Sequence, residues 1–143
     1  MAADFADVRH YASSEQGLCV AAVTRADGSV HTSVVNAGPM PHPVSGVDVV
    51  ALVVRSDAFK FGRFRETGRG SVTFRRGWRW VSVEGRCDIF APAATDVDLP
   101  ALLREIFMAA GGTHDDWDEF DRVMAKEQRA GVLIHPDRII GQP

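Results

Sequence analysis

At 143 residues, with 45% apolar and 24% charged side chains and a formal net charge of -3, the chain reads as one soluble globular domain, 1–143, built around a single core. No apolar stretch approaches the roughly 18 residues that span a bilayer. Met1 to Ala12 carries Asp4, Asp7 and Arg9 where a signal peptide has a basic start and an apolar run, so a cytoplasmic location is expected. Cys19 and Cys87 lack Cys-x-x-Cys spacing and read as buried thiols, not as a disulfide.

Phe5, Val8 and Tyr11 recur at helical spacing, which predicts a short first helix from Asp4. Gly17 to Thr24 and Val30 to Val35 alternate as strands about Ala26-Asp27-Gly28-Ser29, where Asp-Gly predicts a tight hairpin turn. Pro39 to Pro43 is expected to be a loop, and the apolar run Val47 to Val54 a buried strand. Ala58, Phe61 and Phe64 describe a helix over 57–66 with Asp57 near its start, ended by Thr67-Gly68. Ser71 to Phe74 and Trp78 to Phe90 follow as strands about the turn Arg75-Arg76-Gly77. Leu102, Leu103, Ile106 and Phe107 give a helix that stops at Gly111-Gly112, and Trp117, Phe120, Val123 and Met124 give another, opened by His114-Asp115-Asp116. Val132 to Ile134 and Arg138 to Ile140 read as closing strands. About six strands joined chiefly by hairpins predict a mainly β or α+β antiparallel barrel. A small barrel has a filled interior, so a ligand must bind outside it, and a groove between two copies is a natural place.

Charge is distributed unevenly along this pattern. Arg55 to Arg86 holds nine of the sixteen Lys and Arg residues but three of the nineteen acids. A local excess of six positive charges, interleaved with Phe59, Phe61, Phe64, Trp78 and Trp80, points to an anionic ligand with a flat part. A nucleic-acid module would show the same residue types, but the acidic remainder of the chain would repel a long polyanion. Trp80 is expected in the core or an interface, on the face it shares with Trp78, while Trp117 and Phe120 are expected as core anchors. The histidines at 10, 31, 42, 114 and 135 have no ligand spacing, so no metal site is expected.

Three stretches carry a resemblance to a known family: Val47–Val54 leading through Arg55-Ser56 to Lys60, the strand Gly77-Trp78-Arg79-Trp80-Val81-Ser82-Val83-Glu84-Gly85, and His114-Asp115-Asp116-Trp117-Asp118-Glu119-Phe120. Together they resemble the pyridoxamine 5′-phosphate oxidase-like split barrels, specifically the deazaflavin (coenzyme F420) oxidoreductase branch of actinobacteria. The chain's fourteen arginines against two lysines fit a GC-rich source. The resemblance implies a six-stranded split barrel that dimerises, with the cofactor in a cleft between subunits and hydride transfer to a small organic acceptor. It implies that Lys60 contacts the phosphate, with Arg55, Ser56 and Arg63 beside it. It also implies that His31 and Ser33 face the ring and that Trp78 lines the same cleft. The family often has Asn-Leu where Arg63-Phe64 stands and Ser where Ala58 stands. The surplus of basic residues favours the deazaflavin, which carries a phosphodiester and a polyglutamate tail, over FMN. An FMN-binding relative and a cofactor carrier without turnover are the alternatives.

Overall fold

In this computed structural model, which describes residues 2–143, four helices and seven strands are formed. Helix α1 (Phe5–Ser14) opens on a capping box: the Asp4 carboxylate accepts from the Asp7 N–H, and the Asp7 carboxylate accepts from the Asp4 N–H. Strands β1 (Leu18–Thr24) and β2 (Val30–Pro41) form the expected hairpin. Gly28 takes φ 87°, and Asp27 Oδ1 accepts from both the amide and the hydroxyl of Ser29.

β2 does not stop at Val35 as its pattern predicts, and Pro39 to Pro41 is strand, not loop. Residues 30–36 pair with β1, whereas 37–41 pair with β3 (Asp48–Arg55). The Ala37 N–H donates to the Gly17 carbonyl, away from β3. Backbone N–H groups alternate along a strand, so the nitrogens of Pro39 and Pro41 also face away from β3, where no ladder bond is lost. β5 (Arg79–Phe90) divides in the same way. Its first half pairs with β4 (Arg69–Arg76) and on its other edge with β7 (Arg138–Gln142), and its second half pairs with β6 (Arg129–Ile134). The order β4-β1-β2-β3-β6-β5, with β5 pairing back onto β4, closes a six-stranded antiparallel barrel, and β7 is an extra strand on the β5 edge.

The continuous apolar run in β3 follows from burial on both faces. Val50, Leu52 and Val54 point into the barrel with Val72, Phe74, Val81, Val83, Val132 and Ile134, and Phe61 and Phe64 of α2 (Phe59–Thr67) join the same cluster. Val49 and Ala51 face the other way, under Leu102, Leu103 and Ile106 of α3 (Leu99–Ala109) and Phe120 of α4 (Trp117–Lys126). Phe120 and Trp117 are therefore the core anchors expected of them, and Asp116 caps α4 by accepting from the Glu119 N–H. The C-terminal end of α3 rests directly on β2: a Cβ at Gly38 would lie 1.9 Å from the Ala109 carbonyl oxygen. Ala58, not Asp57, is the N-cap of α2 and supplies no side-chain bond, because Asp57 is turned toward Arg55. Trp78 sits in the β4–β5 turn beside Gly77 (φ 61°) and is 94% exposed, so the strand begins one residue later than predicted.

At the far end of the β3–β6 sheet, Asp88 of β5 clamps two imidazoles. Its Oδ2 lies 2.9 Å from His42 Nε2 and 2.8 Å from His135 Nε2. Partial burial raises the Asp88 carboxyl, but the bonds from His135 and His42 outweigh that and hold it below the usual carboxylate range. Asp88→Ala is expected to strand the Nε2–H donor of buried His42 and to lower stability by about 1.5–3 kcal/mol in urea titrations at pH 7. A carboxyl whose folded pKa is depressed stabilises fully above its unfolded value of about 3.9 and loses that contribution as acid protonates it. The gap between wild type and variant should therefore close as pH falls below about 4.

Candidate functional site

The cavity that stands out lies where β2 and β3 part. Ala37 and Leu52 are the last paired residues. Continuing the register would set Asn36, Val35 and Val34 opposite Val53, Val54 and Arg55, but these residues are unpaired with one another and instead line a cavity of about 520 Å³. That is within the roughly 300–1,000 Å³ of small-molecule sites. Its apolar wall is Phe107, Ile106 and Met124, closed by the Ala110-Gly111-Gly112 end of α3. Amides stand at Gln16 and Asn36, where Asn36 Nδ2 donates to the Gln16 carbonyl at 2.9 Å. Cations stand at Arg55, Lys60 and Arg129.

Of the residues singled out from sequence, the fold brings only Arg55 and Lys60 to this cavity. All three guanidinium nitrogens of Arg55 are engaged: Nε and Nη2 donate to the two Asp57 carboxylate oxygens at 3.0 and 3.2 Å, and Nη1 lies 3.6 Å from Glu127 Oε2. Hydrogen bonding to Arg55 holds the Asp57 carboxyl below its usual range. The Ser56 hydroxyl and amide both donate to the Gln128 carbonyl, which ties the β3–α2 turn to the turn before β6. Arg63 donates through Nε to the Thr24 carbonyl at 2.6 Å. His31 packs edge-on against Phe59 at 5.0 Å, with Arg25 Nη2 3.4 Å from its Nδ1. Ser33 shares the inward face of β2 with His31 and with Val35, which does line the cavity, and its hydroxyl is buried without a partner. Lys60 makes no ion pair among the described residues. Trp78 is outside the cavity of its own chain. With Thr73, Arg75, half-buried Trp80 and Gln142 it borders an open groove on the other side of the barrel.

Arg129, Gln16, Asn36, Phe107 and Met124 have no local pattern that marks them, since the parting of two strands gathers them from five separate stretches. Arg129 could have been found only from register, as the β6 residue paired with Arg55. The fold also brings together three histidine and carboxylate side chains that sequence spacing does not connect, His42, Asp88 and His135, with their ligand atoms within 4.8 Å of one another. His42 Nδ1 accepts from the amides of Val44 and Ser45 at 3.1 and 3.3 Å. Nε2 of the neutral ring therefore carries the proton and donates to Asp88. A metal-bound histidine has the opposite arrangement, with its second nitrogen donating, so this cluster has the chemistry of a hydrogen-bond clamp.

No protein-family model and no curated protein matches the chain. Solved structures do. A conserved hypothetical protein of Mycobacterium tuberculosis aligns with a TM-score of 0.71 at 20% identity, covering 98% of this chain and 84% of that one. A pyridoxamine 5′-phosphate oxidase-related, FMN-binding protein of Nostoc punctiforme aligns at 0.61 and 8% identity over 94% and 80%. An F420 reductase aligns at 0.58 and 14% identity over 87% and 90%. The fold is thus the split barrel of pyridoxamine 5′-phosphate oxidase-like proteins, as the sequence resemblance implied.

Neither thiol is suited to nucleophilic chemistry. Burial pushes Cys19 up to about 12 and Cys87 up to about 11, and both cysteines are free. The native protein at pH 8 should react with a thiol-disulfide reagent only slowly, and both thiols should react at once in denaturant. A fast stoichiometric phase in the native state would show a thiolate that this packing does not permit.

Proposed function

We propose that this protein is an oxidoreductase that holds a flavin-type cofactor in the cavity between β2 and β3, with the deazaflavin coenzyme F420 as first choice and a small organic molecule as hydride acceptor. The observation that carries the reading is the composition of the cavity wall. Lys60, without a counter-ion among the described residues, lines the cavity together with the apolar surface of Phe107, Ile106 and Met124 and with Gln16 and Asn36. Such a wall suits a ligand with an anionic arm, a flat apolar body and a polar edge. The fold neighbours include an F420 reductase and an FMN-binding protein, which supports the cofactor class. When bound, the cofactor supplies hydride transfer. Lys60 holds the anionic arm, the α3 wall excludes water, and the open side of the cavity admits the acceptor.

FMN is the second reading, and the pairing of the arginines favours it. Arg55 is held by Asp57 and Glu127, Arg86 by Asp137, Arg75 by the Gly77 carbonyl, and Arg79 by the Pro143 carbonyl. Carboxylates neutralise two of the nine basic residues, Arg55 and Arg86, which reduces the surplus that favoured a polyglutamate tail, and a single phosphate needs few cations. Side-by-side titrations with FMN and F420, followed by Trp fluorescence, decide between them. Lys60→Ala is expected to weaken the tighter ligand about ten- to a hundredfold, as loss of a charge-assisted contact does. Unchanged affinity would remove Lys60 from the site.

The reading includes a homodimer. Leu18, Val20, Val30 and Val34 lie on the outward face of the β1–β2 hairpin, Val20 and Val34 are cross-strand partners, and Val34 is 70% exposed. Val34 and Asn36 share that face and also line the cavity, so a second copy seated there would border the cofactor. Light scattering should give a dimer mass, and the Val20→Glu, Val34→Glu double variant a monomer with weakened cofactor binding. A wild-type monomer that binds cofactor tightly would refute the interface.

A further inference from the structure

We infer that Arg129 is the second phosphate-binding residue of this cavity, acting with Lys60 in place of the Arg55 and Arg63 that the sequence resemblance nominates; this rests on the cofactor reading above. Arg55 is held by two acids. Its Nε, Nη1 and Nη2 all face the carboxylates of Asp57 and Glu127. Arg63 is outside the cavity and is spent in part on the Thr24 carbonyl. Arg129 differs from both. It lines the cavity, and only its Nε is engaged, donating to Glu127 Oε1 at 3.1 Å. Its two terminal nitrogens have no partner among the described residues. A guanidinium anchored by Nε and open at both ends is a preformed fork for two phosphate oxygens.

The backbone around Arg129 accounts for its placement. Arg129 and Arg55 are register partners on β6 and β3, and two like charges directly opposite repel. Glu127 lies between them, with one carboxylate oxygen toward each guanidinium. It reaches that position because Gln128 takes φ 50°, a left-handed conformation uncommon for a residue with a Cβ. The Gln128 carbonyl is held by the Ser56 amide and hydroxyl, the staple that joins the two turns. Strain of this kind persists only where surrounding contacts enforce it. Here its effect is to set Glu127 as a positioning residue behind Arg129, holding Nε so that the two terminal nitrogens keep an outer face for a ligand. The ligand chemistry is a phosphate ester, whether of FMN or of the deazaflavin.

The test compares ligands with and without the phosphate. Arg129→Ala should weaken FMN and F420 about ten- to a hundredfold while riboflavin binds within about twofold of wild type. Arg129→Lys should recover part of the loss, because it restores the charge without the fork. Equal losses for FMN and riboflavin in Arg129→Ala, or no loss with either phosphorylated ligand, would overturn the assignment, and thermal melts check that the variants are folded. If wild type binds neither flavin, the cofactor reading fails on its own, and the clamp is then tested with inorganic pyrophosphate. Stabilisation of wild type that both Lys60→Ala and Arg129→Ala abolish supports the clamp. No stabilisation of wild type, or stabilisation that survives in Arg129→Ala, overturns it.

Discussion

The pair Ala37–Leu52 is the hinge on which this structure depends. On one side of it β2 belongs with β3, and on the other it belongs with β1. β1 and β3 lie on opposite edges of β2, and their pairings abut without overlapping, β1 taking residues 30–36 and β3 taking 37–41, so the edge of β2 that faces β3 is left unpaired beyond Ala37. β5 changes partner differently, along a single edge, where β7 and then β6 pair with it in succession. Where β5 changes partner, the β6–β7 connection crosses so closely that a Cβ at Gly85 would lie 2.0 Å from the His135 carbonyl oxygen. Where β2 changes partner, no connection fills the gap, and the cavity results.

What surrounds that gap is set by charge pairing. The positive stretch from Arg55 to Arg86 does not present one basic surface. Arg86 makes a bidentate pair with Asp137, and its hydrogen bonds hold the Asp137 carboxyl well below the usual carboxylate range. Arg65 lies over the Phe61 ring, and Arg55 is held by two acids. Many of these pairs are exposed and contribute little to stability individually. Their effect is on which cationic donors remain open, and around the cavity these are Lys60 and the two terminal nitrogens of Arg129.

Much of the architecture was legible in the chain. The Asp-Gly turn, the doubly buried β3, the α2 pair Phe61 and Phe64, and the Gly111-Gly112 stop each rest on a local rule, a turn angle or a burial period, that holds before any long-range contact forms. Pro39 to Pro41 misled for a definable reason. Proline forbids a donated bond, but whether a strand position needs one depends on which edge faces a neighbour. Trp78 misled in the same way, because alternation marked it as strand, whereas the turn at Gly77 sets it in solvent.

The candidate site was legible only at Lys60 and Arg55, which lie next to β3 in the chain and so travel with it. Sequence by itself determined the strand and helix periods, the excess of basic residues and the barrel they imply, since each depends on residues close in the chain. The tertiary structure alone decided which cations are committed to carboxylates, where the His42, Asp88 and His135 clamp forms, and that Arg129, seventy-four positions after Arg55, stands beside it. Those outcomes depend on β-sheet register and on the point where two strands part, and neither is encoded in any local stretch of the chain.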